Sequence, residues 1–397
     1  MKNYTDVSIA RSYATLRNED FMKIFTNCIT VLPDYSKFLP LASFFSKKVK
    51  ALEDIAFFDI ETTGFSAKNS MCYLIGAIHF QNGQPSYTQW FADTPDSEAA
   101  VLENFFKFSG NFKCIVHFNG GHFDIPFLLE RAKLLNIPYE LIKMFSACDS
   151  IDIFKLIKRC GSLLNLEHYN QKALEEFIGL NRKDKFNGGE LIEFYKKYVV
   201  SKDDKTEKLL ILHNYDDIFG LLNIFPLTAY CQLYNKAFVL KSCEINNAAS
   251  YEGNPLKELI LTAKTQLSFS VPLSLQKENC HIWLKDDCLR IQVPLFEGRL
   301  KLFYKDYKNY YYLPDEDMAL HKSVAAYVDK SRRRQAKASD CYTWVSGVFM
   351  PDFRDNHVSL KHDYSDKFCH ALLNDEFMQS KDLQNEYLLS LVSHIFQ

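Results

Sequence analysis

The stretch FFDIETTGF, residues 57–65, constrains this chain more than any other. Together with the residues before it, IAFFDI reads as a short buried strand. Side chains on a strand alternate between faces, so Asp59 and Glu61 point the same way. Both stand at the end of an apolar strand, where a charge can reach solvent. Two carboxylates side by side repel each other. A divalent cation between them removes the repulsion and supplies a function. Thr62, Thr63 and Gly64 then form a tight, hydroxyl-rich exit, and glycine lets another backbone come close.

Around this strand the patterning is that of an α/β chain. YLIGAIHF and YTQWFA read as two further strands, with Asn82-Gly83 as the hairpin turn between them. A helix is expected over 96–108, with Asp96 or Ser97 as N-cap. CIVHFN is a fourth strand, and helices follow over 123–135, 152–158, 171–178, 189–198 and 207–223. The first three strands suit an antiparallel meander, and the fourth can lie parallel to the first. Residues 1–50 read as a helical N-terminal extension. Beyond residue 240 the alternation of LSFSVPLSL, HIWLKDD, LRIQVPLFEGRLKLFY and NYYYLP is β-rich, with helices expected over 317–337 and from 380.

Two more segments carry chemistry. VHFNGGHFDIPFL ends a strand at Asn119, turns at Gly120 and Gly121, and opens a helix with Asp124. By itself Asp124 is also compatible with a charge placed on the helix dipole, and Asn119 with a turn cap. In LHNYDDIFGLL, His213 and Asp217 stand four apart on one helix face, with Asp216 turned about 100° away. Only one of the two aspartates can readily join a metal site, and the spacing favours Asp217.

The ordered set FDIETTG, FNG–FDIP and HNYDD resembles the YprB-type ribonuclease H-like domain of the DEDD 3′–5′ exonuclease superfamily over about residues 50–230. KFNGGELIEFYKKY is similar to that family too. The three residues between His213 and Asp217 match the spacing of the tyrosine-bearing branch, so His213 occupies the tyrosine position. The resemblance implies a ribonuclease H-like mixed sheet flanked by helices over 51–235, and the alternation beyond it adds a β-rich α+β C-terminal domain over 240–397. It implies a hydrolase with Asp59, Glu61, Asp124 and Asp217 holding two divalent ions, Mg²⁺ or Mn²⁺, and His213 as general base. Thr62, Thr63, Gly64 and Asn119 would border the substrate, single-stranded DNA or RNA. The competing expectations are an inactive nucleic-acid-binding or scaffold protein on the same fold, and a structure-specific endonuclease.

Composition narrows the setting. A net charge of −2 excludes a globally basic coat but permits a local basic groove. Eleven scattered cysteines suggest reduced thiols in a cytoplasm rather than a disulfide framework. The N-terminus lacks an apolar signal core, and no apolar stretch is long enough to span a bilayer, so no membrane partner is expected. In the C-terminal part, Arg299, Lys301, Lys305 and Lys308 alternate with Phe303, Tyr304, Tyr307 and Tyr310–Tyr312, and Arg332–Arg334 follow. This strip suits either a single-strand contact or a hairpin with inward tyrosines and solvated cations.

Overall fold

In a computed structural model the strand that carries Asp59 is the fourth in line of a six-stranded mixed sheet. The structure describes residues 22–29, 35–180, 186, 188–249, 255–354 and 360–396. The chain divides into two units, Met1–Cys231 and Gln232–Gln397. In the first, the strands are β1 (Met22–Cys28), β2 (Ile55–Thr62), β3 (Cys72–Gln81), β4 (Gln84–Ala92), β5 (Cys114–His117) and β6 (Asp149–Asp152), ordered β1-β4-β3-β2-β5-β6. β2, β3 and β4 form the antiparallel meander, and β5 runs parallel to β2. The β3–β4 turn has positive φ at Asn82 and Gly83, as a two-residue hairpin requires.

Both faces of this sheet are covered, which explains why β3 is buried along nearly its whole length. The helices are α1 (Phe38–Phe45), α2 (Glu98–Ser109), α3 (Asp124–Leu134), α4 (Tyr139–Ser146), α5 (Ile153–Leu164), α6 (Gln171–Phe177), α7 (Gly188–Ser201) and α8 (Asp204–Ile224). Adjacent residues of β2 show the two layers. Phe58 packs on Phe105 of α2 and Phe145 of α4, while Phe57 packs on Phe38 of α1 and Phe225 after α8. Asp59 and Glu61 therefore share the Phe57 face, the side taken by α8.

The expected helical extension over 1–50 is corrected in part. Residues 22–28 are a strand paired antiparallel to β4, and 38–45 are helical. Residues 1–21 and 30–34 lie outside the described residues. The strand is held by its side chains as well as its ladder. Lys23 reaches Asp93 (3.1 Å), the Tyr198 hydroxyl (2.8 Å) and Glu207, tying the sheet edge to α7 and α8. Those carboxylates push the Lys23 ammonium up against the effect of its burial. Strand β6 and helix α4 also exceed what the sequence pattern indicates. Four residues, DSID, are too few to display a period.

The second unit begins with an antiparallel sheet of β7 (Phe238–Ala249), β8 (Pro255–Thr265), β9 (Leu273–Lys277), β10 (Cys280–Lys285) and β11 (Cys288–Pro294), ordered β7-β8-β11-β10-β9. Alternate residues of β10 and β11, including the paired Ile282 and Ile291, are buried, so one face meets a core. A small barrel follows from β12 (Phe296–Phe303), then the three-stranded sheet of β13 (Tyr310–Leu313), β14 (Met318–His321) and β15 (Arg334–Gln335). Strands β16 (Tyr342–Asp352), β17 (Leu360–Lys361) and β18 (Cys369–Leu372) close the barrel, and helices α10 (Asp375–Gln379) and α11 (Lys381–Phe396) end the unit. Of the helix expected over 317–337, only the four-residue α9 (Lys322–Ala325) and a 3-10 turn at Lys330–Arg332 form. Asp317 sits at positive φ in the β13–β14 turn, where its carboxylate accepts from Tyr312 (2.5 Å), Tyr342 (2.6 Å) and Trp344 (3.1 Å). Three donors fix a turn where helix propensity alone would start a helix. No helix among the described residues is long and apolar enough to cross a membrane.

Candidate functional site

The carboxylates on β2 are positioned by groups behind them. Asp59 Oδ2 accepts from Asn214 Nδ2 at 3.1 Å. Asn214 is fully buried, and its own oxygen accepts from Gln89 at 2.9 Å. Gly76 lies opposite Asp59 in β3, and a Cβ there would fall on the Asn214 amide oxygen. The glycine thus makes room for the side chain that orients Asp59. A register shift at Glu61/Thr62 then bends the strand end.

On α8, His213 Nε2 stands 3.1 Å from Asp217 Oδ2 and 3.5 Å from Glu61 Oε1. Ligand atoms of Glu61, His213 and Asp217 all lie within 4.8 Å of one another. Among the described residues no other group of His, Cys, Asp and Glu is as suited to a metal ion. Asp216 is not part of that group, in keeping with its rotation around the helix.

Asp124 opens α3 from the far side of the β5 exit and is buried. Burial, with the nearby Asp152 charge adding to it, pushes its carboxyl up to about 7. Gly120 passes so close that a Cβ would stand 2.6 Å from Asp124 Oδ2. His117 is buried beside this turn. Its Nδ1 accepts from the Gly120 N–H at 3.0 Å, so Nε2 carries the proton toward Ser150 Oγ at 2.7 Å. Burial holds its pKa down near 4, in the neutral form this bonding needs. Asp59 and Asp124 line one cleft of about 620 Å³, together with Phe118, Asn119, Phe154 and Lys158.

The expected substrate contacts are placed more variously. The Thr62 hydroxyl donates to Gly64 O (2.9 Å) and the Thr63 hydroxyl accepts from Met71 N–H (3.0 Å), so both are engaged in closing their own loop. Gly64 backs onto Ser70, whose Oγ would lie 2.5 Å from a Cβ. Arg131 of α3 secures that loop by donating to Ala67 O (2.9 Å) while forming a buried two-pronged pair with Glu98. Asn119 has φ 58° and lines the cleft, its N–H bonded to Asp152 at 2.9 Å. Sequence reasoning missed Asn214, Gln89, His117 and Asp152. Asn214 and His117 had a signal, lying inside HNYDD and VHFNGGHFDIPFL.

The arginine strip of the second unit is occupied internally. Arg332 pairs with Asp315 (2.9 Å) and Glu316 (3.1 Å), Arg334 with Asp340 (2.5 Å), and Arg333 donates to Ala325 O and covers the Tyr311 ring. Tyr304, Tyr307, Tyr310 and Tyr312 pack around Ala319, Ala336 and Cys341. The geometry is that of a packed hairpin.

The sequence model of a family described as RNase H superfamily matches residues 56–228. These residues form a ribonuclease H-like α/β domain. Solved structures similar to the chain include the family B DNA polymerase of the archaeon Pyrobaculum calidifontis, at 13% identity and TM-score 0.34, over 64% of this chain and 35% of that one. Others are exonuclease I of E. coli with single-stranded DNA and zinc (14%, TM-score 0.26, 53% and 54%) and with an oligonucleotide (12%, TM-score 0.27, 53% and 55%). The chain thus spans about a third to about half the length of these proteins. No curated protein matches the chain.

The donor set of this ribonuclease H-like domain fits a hard divalent cation. It is dominated by carboxylate oxygens, one imidazole stands among them, and burial raises the Asp124 carboxyl, an effect a bound cation would offset.

Proposed function

We propose that residues 51–235 form a DEDD-type 3′–5′ exonuclease, of the YprB kind, acting on single-stranded DNA or RNA in the cytoplasm. One observation carries the reading. Glu61, His213 and Asp217 converge from a strand and a helix, while Asp59, on the same face of β2 as Glu61, shares a cleft with Asp124. Strand β2 carries both Asp59 and Glu61 and so links the two groups.

Asp59, Glu61, Asp124 and Asp217 would hold two divalent ions, Mg²⁺ or Mn²⁺, which when bound offset charge on the reacting phosphate and acidify water. The chain's own groups do the rest. His213 Nε2 accepts a proton from the attacking water, and histidine is the side chain best matched to that task near neutral pH. Asp217 and Glu61, both within reach of the same nitrogen, stabilise the imidazolium that results. Asn214 and Gln89 keep Asp59 from turning away. The backbone of Thr62–Gly64 and the Asn119 side chain border the terminal nucleotide.

Digestion of 5′- and 3′-labelled single and double strands of DNA and RNA with Mn²⁺ tests this. A 5′-labelled single strand is expected to give a ladder shortening from its 3′ end. Cleavage of circular single strands would assign an endonuclease, and binding with no cleavage a scaffold.

A further inference from the structure

The cleft that holds Asp59 and Asp124 has another wall, built from rings and a cation. Phe154 and Lys158 stand four residues apart on α5 and share a helix face. Lys158 Nζ lies 5.9 Å from the centroid of the Phe154 ring. The Phe118 ring, just past β5, meets Phe154 at 5.5 Å with the planes inclined by 59°. Both rings line the cleft and are only partly buried. Lys158 is exposed and makes no ion pair with a described residue, whereas Lys155, one turn earlier, lies 3.7 Å from Asp152.

This wall is held in place from both ends. The Tyr169 hydroxyl donates to Gly161 O at 2.8 Å, and its ring fills the space a Gly161 Cβ would enter. At the start of α5, Asp152 accepts from the N–H groups of Asn119 (2.9 Å) and Lys155 (3.3 Å). A half-exposed ring beside a cation that has no ion pair among the described residues needs a reason, because covering Phe154 with protein would bury more apolar surface.

We propose that Phe154 and Lys158 form a nucleotide subsite, in which a base of a single strand stacks on Phe154 and a neighbouring phosphate pairs with Lys158. The assignment rests on the exonuclease reading, in which divalent ions held by the acids of the same cleft would bring a phosphodiester chain there. Rings accept any base by its face and cations accept any phosphate, so the subsite is blind to sequence. A duplex keeps its bases inside the stack and offers none to Phe154, so the subsite selects unpaired strands.

The test is anisotropy of a short 5′-labelled oligonucleotide binding to the full chain in EDTA, where metal-dependent cleavage cannot interfere. Phe154→Leu keeps apolar volume and removes the ring, and binding is expected to weaken at least about five-fold. A strand with abasic 3′ nucleotides is expected to bind wild type and Phe154→Leu equally. Phe154→Tyr keeps a ring and is expected to bind as wild type does, which separates ring loss from misfolding. Lys158→Ala is expected to lower the log–log salt slope by about 0.7. Unchanged affinity of Phe154→Leu, or tighter binding of duplex than of single strand, overturns the subsite. Ring-dependent binding without cleavage in Mn²⁺ would remove the exonuclease reading, whereas cleavage with ring-independent binding would remove the subsite alone.

Discussion

At the scale of single residues, the acids are set by the groups behind them. Gly76→Ala places a methyl on the Asn214 amide, which must then release Asp59. The substitution is expected to cost about 1–3 kcal/mol in urea unfolding and to lower cleavage sharply. Gly83→Ala, a turn position with nothing within 4 Å, is the control for cleavage. Near-normal cleavage by Gly76→Ala would show that Asn214 does not orient Asp59. A second residue makes the fold acid-sensitive. Burial pushes the His79 pKa down to about 4, from 6.5 in an unfolded chain. Between those values the unfolded chain takes up a proton that the folded chain refuses, so stability is full above about pH 6.5 and falls toward pH 4. The loss attributable to His79 is up to roughly 3 kcal/mol. His79→Phe should show a smaller drop in melting temperature between pH 7 and pH 4.5, and equal drops in both proteins would refute the assignment. Asp59 and Glu61 were legible because strand alternation is a local property. Asn214 was not, because its role depends on a glycine in another strand.

At the scale of elements, the loop after β2 depends on a buried ion pair. Arg131→Met leaves Glu98 buried and unpaired and frees Ala67 O, at an expected cost of roughly 3–5 kcal/mol. Adding Glu98→Gln should recover part of that loss. A double mutant no more stable than Arg131→Met would indicate that the pair is not what secures the loop. The second unit carries the opposite expectation. Arg332, Arg333 and Arg334 already have partners, so changing all three to Ala should leave single-strand affinity and its salt slope unchanged while loosening the hairpin. A flatter salt slope, measured by the same anisotropy titration, would return these arginines to the substrate. Long apolar strands and helices were readable, as β2–β4 and α8 show. The strand at 22–28 was not, because what makes it a strand is the β4 edge and the Lys23 partners on α7 and α8. The hairpin at 310–321 likewise depends on Asp317 meeting Tyr342 and Trp344 from a later strand.

At the scale of the whole molecule, the proposed chemistry lies within the first unit, from Asp59 to Asp217, and the β-rich second unit contributes none of the proposed ligands. The order of strands and helices in the first unit was largely contained in local patterning. The meeting of Glu61 with His213 was not, since nothing in two distant segments states their separation. That meeting is the centre of the account, and neighbouring aspartates on α8 test it. Cleavage of a labelled single strand at saturating Mn²⁺ should fall at least about a hundred-fold in Asp217→Asn, as for loss of a group acting in the transition state. It should stay within about two-fold in Asp216→Asn, which sits about 100° around the helix. The account is contradicted if wild type leaves the strand intact, or if Asp217→Asn cleaves normally while Asp216→Asn does not.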